Sequence, residues 1–183
     1  MALFAVLGIV AVLAVLAISV YNNLVGLREK VNEAWSGVET FLKKRYDMIP
    51  NLVETVKGYA KHEEDVFTKV TEMRTRAMSA GSPDDQIKAE NALSGTLKTL
   101  FAVAENYPDL KANQNFMQFQ ADYTALEDEL NKSRRFYNAT VRDYNTTRLV
   151  FPNNILAGML GFTARAYFEL DSEEEKKNVE VKF

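Results

Sequence analysis

The chain has no cysteine among its 183 residues. That excludes a disulfide framework, a thiolate nucleophile, a cysteine-ligated zinc and a lipidated cysteine anchor. Histidine occurs once, at His62. A dinuclear carboxylate site in a helical bundle needs a Glu-x-x-His pair on each of two helices, and the residue three before His62 is Tyr59. The acids that follow, Glu63, Glu64 and Asp65, read as a solvated helix face, so neither a metal nor another cofactor is expected. Excess basic charge is missing as well: 22 Lys and Arg stand against 25 Asp and Glu, a net charge of -3, which gives no electrostatic case for nucleic acid. Glycine and proline are sparse, 8 and 4 residues placed singly, which argues for long regular elements over a low-complexity linker. No serine sits in a G-x-S-x-G elbow, and no glycine-rich loop follows a strand. The expectation is a protein that is not an enzyme.

What is present begins with an apolar run. Leu3 to Val20 is uncharged, and the first charged side chain is Arg28. A helix of about 20 residues spans the hydrocarbon core of a bilayer. A cleaved signal sequence is the other reading, but the run exceeds the usual apolar region of one and no Lys or Arg precedes it. Residues 1–21 are therefore expected to be a retained transmembrane anchor, in contact with membrane lipids. Tyr21 falls at the interface, and Arg28 and Lys30 just after the run put the N-terminus outside and the body in the cytoplasm.

The stretch from Tyr21 to Val70 carries apolar residues at alternating spacings of three and four: Val31, Trp35, Val38, Leu42, Ile49, Leu52, Val56, Tyr59, Val66 and Val70. Arg45 and Glu63 fill the remaining places, so the whole reads as one face of a long helix. Pro50 interrupts it. Either the proline kinks a continuous helix, or it opens a new one capped by Asp47; the apolar phase passes Pro50 unshifted and favours the kinked helix. With a continuous helix, Val31, Trp35, Val38 and Leu42 have no evident partner within the chain. This makes them, with Ile49, Leu52 and Val56 further along, the expected oligomer or helix-packing seam, and points to a homo-oligomer. Of the Lys43-Lys44-Arg45 triplet, Arg45 shares the apolar face and calls for a buried ion pair, with Glu63 or Asp122 as candidates.

Later signals are sharper. Ala80-Gly81 ends a helix, and Ser82-Pro83-Asp84-Asp85 starts the next with a cap, a first-turn proline and favourable acids. That helix stops before Pro108. Pro108 and Asp109 then open a helix to about Leu149, with a seam of Phe116, Phe119, Tyr123, Leu126, Leu130, Tyr137 and Tyr144, which is expected to lie along the first helix at a shallow crossing angle. Asn153 to Phe162 is an uncharged apolar segment too short to span a bilayer; it reads as a lid on the bundle, or as a contact with membrane or a second protomer. Residues 22–170 form the expected helical bundle and 171–183 a charged tail.

YNxLVxL (Tyr21 to Leu27), Ala34-Trp35-Ser36, DMIPNLVETVKGYAKHE (Asp47 to Glu63), ENYPDLKAN (Glu105 to Asn113), RRFYN (Arg134 to Asn138), Tyr144-Asn145 and FPNN (Phe151 to Asn154) together resemble the LemA family of bacterial membrane proteins over nearly the whole chain. The resemblance implies a helical bundle behind an N-terminal membrane helix, with no established catalytic activity. A relative of that family takes part in forming magnetosome membranes. The combined reading is an all-α protein, a transmembrane helix continuing into an up-and-down bundle of four-helix type, in the inner membrane. Its expected act is self-association that scaffolds or remodels the membrane. The alternative is a monomeric adaptor for another membrane protein, such as a protease or sensor.

Overall fold

The computed structural model describes residues 1–169, so the charged tail expected at 171–183 lies outside the described residues. All regular structure among them is helical. Helix α1 (Ala2–Lys57) is followed by α2 (Glu64–Met78), α3 (Pro83–Glu105), a single turn α4 (Pro108–Lys111), α5 (Gln114–Leu149) and the short α6 (Asn153–Met159). The chain divides into two compact units: Met1–Val38 with Lys132–Tyr167, and Glu39–Asn131 with the described residues from Phe168 onward. Helices α1 and α5 each contribute a segment to both.

Helix α1 is unbroken for 56 residues with Pro50 inside it. A proline within a helix leaves the carbonyl four residues earlier without its N–H donor, and here that carbonyl belongs to Tyr46. Arg74 of α2 fills the gap, its Nε donating to the Tyr46 carbonyl oxygen at 2.8 Å. A side chain from the neighbouring helix thus supplies the bond that the proline removes. Arg74→Met is expected to lower stability by about 1–2 kcal/mol. In a Pro50→Ala background, where the backbone N–H returns, the same substitution should cost markedly less. Urea unfolding of the four variants gives the coupling directly, and equal costs in both backgrounds would sever the link between Arg74 and Pro50.

The chain reverses after Lys57, not at Pro50 and not after a helix continuing to Val70. Gly58 is the poorest helix former in that stretch apart from proline, and the helix tightens there: Tyr59 N–H donates to the Val56 carbonyl at 3.0 Å and Ala60 N–H to the same oxygen at 2.9 Å. Glu64 and Asp65 in the first turn of α2 favour a new start. Tyr59, placed on the seam by its spacing, is consequently 40% exposed. Ser82 caps α3 as expected, its hydroxyl accepting from the Asp85 N–H at 3.2 Å and donating to the Asp85 carboxylate at 2.8 Å. The helix expected from Pro108 is instead α4 and then α5. Asn113 restarts it by accepting from the N–H groups of Asn115 and Phe116 at 2.9 and 3.2 Å, a local cap that competes with continuing the helix.

In the second unit, segments of α1 and α5 join α2 and α3 in an up-and-down arrangement around Leu42, Ile49, Leu52, Val56, Phe67, Val70, Leu93, Leu97, Leu100, Phe116 and Leu130, all buried. In the first unit, Val31, Trp35 and Val38 of α1 are buried, as are Tyr137, Val141 and Tyr144 of α5. Trp35 meets the Tyr137 ring edge-on with centroids 5.2 Å apart. A Cβ at Gly37 would lie 3.7 Å from the Ser133 hydroxyl. The seam thus finds its partner inside the chain. Val31, Trp35, Val38, Leu42, Ile49, Leu52 and Val56 are all buried in the single molecule, which overturns the expectation that the first four lack an intrachain partner. In the first unit α5 runs antiparallel to α1, which sets Tyr137 against Trp35 and Ser133 beside Gly37.

Candidate functional site

Arg45 lies in the apolar register of α1 between Leu42 and Ile49, with only 2% of its side chain exposed. Its Nη1 donates to Glu90 Oε2 of α3 at 2.9 Å, and its Nη2 donates to the Ser94 hydroxyl at 3.0 Å and to the Tyr123 hydroxyl of α5 at 3.1 Å. Its Nε stands 3.0 Å from Glu127 Oε1 as a further ion pair, with geometry outside that of a hydrogen bond. The other oxygen of Glu90 accepts from the Tyr46 hydroxyl at 2.5 Å, and the Gln86 amide donates to that hydroxyl at 3.4 Å. Three helices of the second unit therefore converge on one guanidinium. A buried charge is tolerated only when paired and hydrogen-bonded, and this one is.

The electrostatics hold Arg45 in its charged form. Burial alone would lower its pKa, but Tyr123, Glu127 and Glu90 outweigh that and raise it. The Tyr123 phenol is pushed up to about 12, mainly by burial, with Arg45 pulling the other way. Tyr46 is pushed up too, first by burial and then by the Glu90 carboxylate. These directions describe a site that keeps its protons fixed, unlike a catalytic acid or base tuned to exchange them near neutrality. The chemical capacity of the cluster is to set the register of three helices, since any slip along the seam strands a buried charge.

A second polar constellation belongs to the first unit. The Tyr137 hydroxyl donates to the Ala166 carbonyl at 3.0 Å and the Tyr144 hydroxyl to the Thr163 carbonyl at 2.9 Å. The Asn145 amide donates to the Arg165 carbonyl at 2.9 Å and accepts from the Arg165 N–H at 3.0 Å. Residues 162–167 have no regular structure of their own, so α5 side chains supply the partners their backbone needs. This gives a physical role to Tyr137 in the RRFYN stretch and to the Tyr144-Asn145 pair.

Several positions singled out by the sequence do not come together. Lys43 and Lys44 are exposed while their neighbour Arg45 is buried, so the basic triplet is not one patch. Glu63 and Asp122 are not partners of Arg45; Glu90 and Glu127 are. Among the described residues, no three His, Cys, Asp or Glu side chains converge in metal-binding geometry. Glu90 was legible in one way: it follows Ile87 and precedes Leu93 and Leu97 on the apolar face of α3. Two opposite charges, each alone on an apolar seam, point to each other. The second unit also carries an open groove of about 660 Å³ between the end of α1 and α2, lined by Val53, Lys57, Phe67, Thr71 and Arg76 among others.

A family model described as the LemA family matches residues 34–183. Magnetosome protein MamQ 2 of Paramagnetospirillum magneticum is 26% identical, the alignment covering 90% of this chain and 70% of the relative. Protein LemA of Metamycoplasma hominis is 26% identical over 87% of this chain and 73% of its own length. Magnetosome protein MamQ of Magnetospirillum gryphiswaldense is 23% identical over 89% and 69%.

Proposed function

The chain belongs to the LemA family, and on that premise we propose that it is a non-catalytic, single-pass membrane protein whose helical body associates with further copies of itself to scaffold or remodel the membrane. The observation that carries this reading is the continuity of α1, which is apolar and exposed from Leu3 to Ile18 and enters the helical body without a break. By length and composition that helix is able to cross a membrane. Continuous helix from the anchor into the unit that holds Val31, Trp35 and Val38 couples the anchor to that unit, as a scaffold requires. The relatives named as magnetosome proteins support a membrane-organising role. Arg28 and Lys30, following the apolar run, favour an inner-membrane topology with the N-terminus outside and the body in the cytoplasm.

Because the α1 seam is buried within the chain, self-association would have to use the anchor or the outer surface. The full-length protein in nanodiscs or mild detergent is expected to form a discrete assembly several times the 20.7 kDa chain mass, and a variant lacking residues 1–20 is expected to fall to the monomer. Light scattering coupled to size exclusion reads both. A monomer in both cases would sink the scaffold and leave the second reading, a monomeric adaptor for another membrane protein such as a protease or sensor. The groove beside α2 favours that alternative as a place for a partner segment.

A further inference from the structure

From Leu149 to Ala164 the chain carries no charged side chain, and Arg148 and Arg165 bracket it. This is the end of α5, the turn through Phe151 and Pro152, α6, and the first residues of the segment that α5 clamps. Much of it faces outward: Phe151 is 80% and Met159 77% exposed, and Leu149, Val150, Ile155 and Leu160 are exposed with them. Soluble surfaces rarely present so many large apolar side chains together without a partner.

Its place in the first unit says what that partner is. Trp35 faces Tyr137 and the two helices run antiparallel. Leu149 lies as far along α5 from Tyr137 as Asn23 lies back along α1 from Trp35. The end of α5 is therefore level with the point where the apolar run of α1 gives way to Tyr21 and the asparagines. A direct contact agrees: the Phe162 ring meets the Tyr21 ring edge-on with centroids 6.0 Å apart, and the Arg28 guanidinium lies 5.7 Å from the Phe162 centroid. The bonds from Tyr144 and Asn145 to residues 163 and 165 hold the segment in place.

We propose that the Leu149–Leu160 tip is a second membrane contact, its apolar side chains dipping into the boundary between headgroups and acyl chains beside α1. Helix α6 is too short to span a bilayer, but an apolar surface at this depth needs to bury only its outer face. Arg28, Arg148 and Arg165 flank the tip in sequence and space and suit an anionic headgroup layer; Arg28 lies over the Phe162 ring and pairs with Glu29, and Arg165 Nη2 donates to the Asn32 amide oxygen. The contact would set the tilt and rotation of the anchor, which interfacial side chains normally fix. It rests on the anchor reading above.

The absence of native cysteine makes the test direct. Met159→Cys, Phe151→Cys, Leu13→Cys and Lys43→Cys, each labelled with an environment-sensitive dye in the full-length chain, are reconstituted in phosphatidylcholine–phosphatidylglycerol vesicles. Brominated lipids and aqueous iodide serve as quenchers. The dyes at 159 and 151 are expected to lose roughly half their emission to bromines near the headgroup, with iodide quenching reduced several-fold relative to the Lys43 site. The Leu13 dye should respond to deeper bromines. Quenching at 13 with full iodide access at 159 and 151 overturns the second contact and leaves the anchor intact. Lack of lipid quenching at all labelled sites, 13 included, overturns the anchor reading with it. Protection at 159 and 151 from both quenchers means that protein covers the tip, and overturns the proposal as well.

Discussion

Glu90→Ala is expected to destabilise the second unit by about 3–5 kcal/mol, the usual cost of removing one partner from a buried ion pair. The loss has several parts. Arg45 Nη1 loses its acceptor, the Tyr46 hydroxyl loses its short bond to the other carboxylate oxygen, and a cavity opens where the buried carboxylate stood. Glu127 offers incomplete compensation, because it meets Nε and retains 24% of its side-chain exposure. Arg45→Met with Glu90→Leu removes both charges and should recover a good part of the loss, since well-packed apolar pairs often match a buried ion pair. Urea unfolding followed by far-UV circular dichroism measures both, and a cost below about 1 kcal/mol for Glu90→Ala would mean that the pair is hydrated and sets no register.

The comparison of Glu90 with the α1 seam shows what a sequence of this kind conveys. Periodicity identifies the buried face of a helix, and every α1 seam position up to Val56 is buried. It says nothing about whether the covering surface comes from the same chain. For Val31, Trp35, Val38 and Leu42 spacing leaves an oligomer partner and an intrachain helix equally open, and although it also marks Tyr137 on the seam of a helix reaching Leu149, it does not supply the register that sets Tyr137 against Trp35. Pro50 is a related case. Its unshifted apolar phase indicated a continuous helix, but the means of continuity, Arg74 on the Tyr46 carbonyl, is a tertiary contact between positions 28 residues apart. Local chemistry was easier to read where one residue decides the outcome, as at the Ser82 cap. It was missed where several weak signals compete, as at Gly58 and Asn113. The candidate site followed the same pattern: Arg45 and Glu90 each stand out as a charge on an apolar face, while the parts of Glu127, Tyr123 and Ser94 required the folded arrangement of three helices.

Tyr137→Ala is the corresponding test in the first unit, and it decides between the two assignments of the seam. The Tyr137 side chain is almost wholly buried, packs edge-on against Trp35 and bonds to the Ala166 carbonyl. Truncation of a buried aromatic costs about 3–5 kcal/mol, of which the ring pair accounts for about 0.5–1.5. Tyr137→Phe keeps the ring and removes only the bond, so about 1 kcal/mol is expected from it. Trp35 is the sole tryptophan, so its emission reports this contact without interference, and in Tyr137→Ala it should shift to the red as solvent gains access. The decisive property is the dependence on protein concentration. If α5 of the same chain covers Trp35, both the shift and the loss of stability are unimolecular and stay the same as the protein is diluted. If a second copy covers it, unfolding becomes concentration-dependent, because dissociation is then coupled to exposure of the seam. The antiparallel register through Trp35, Gly37, Ser133 and Tyr137 requires the first result, and with it any assembly must be built from surfaces other than this seam.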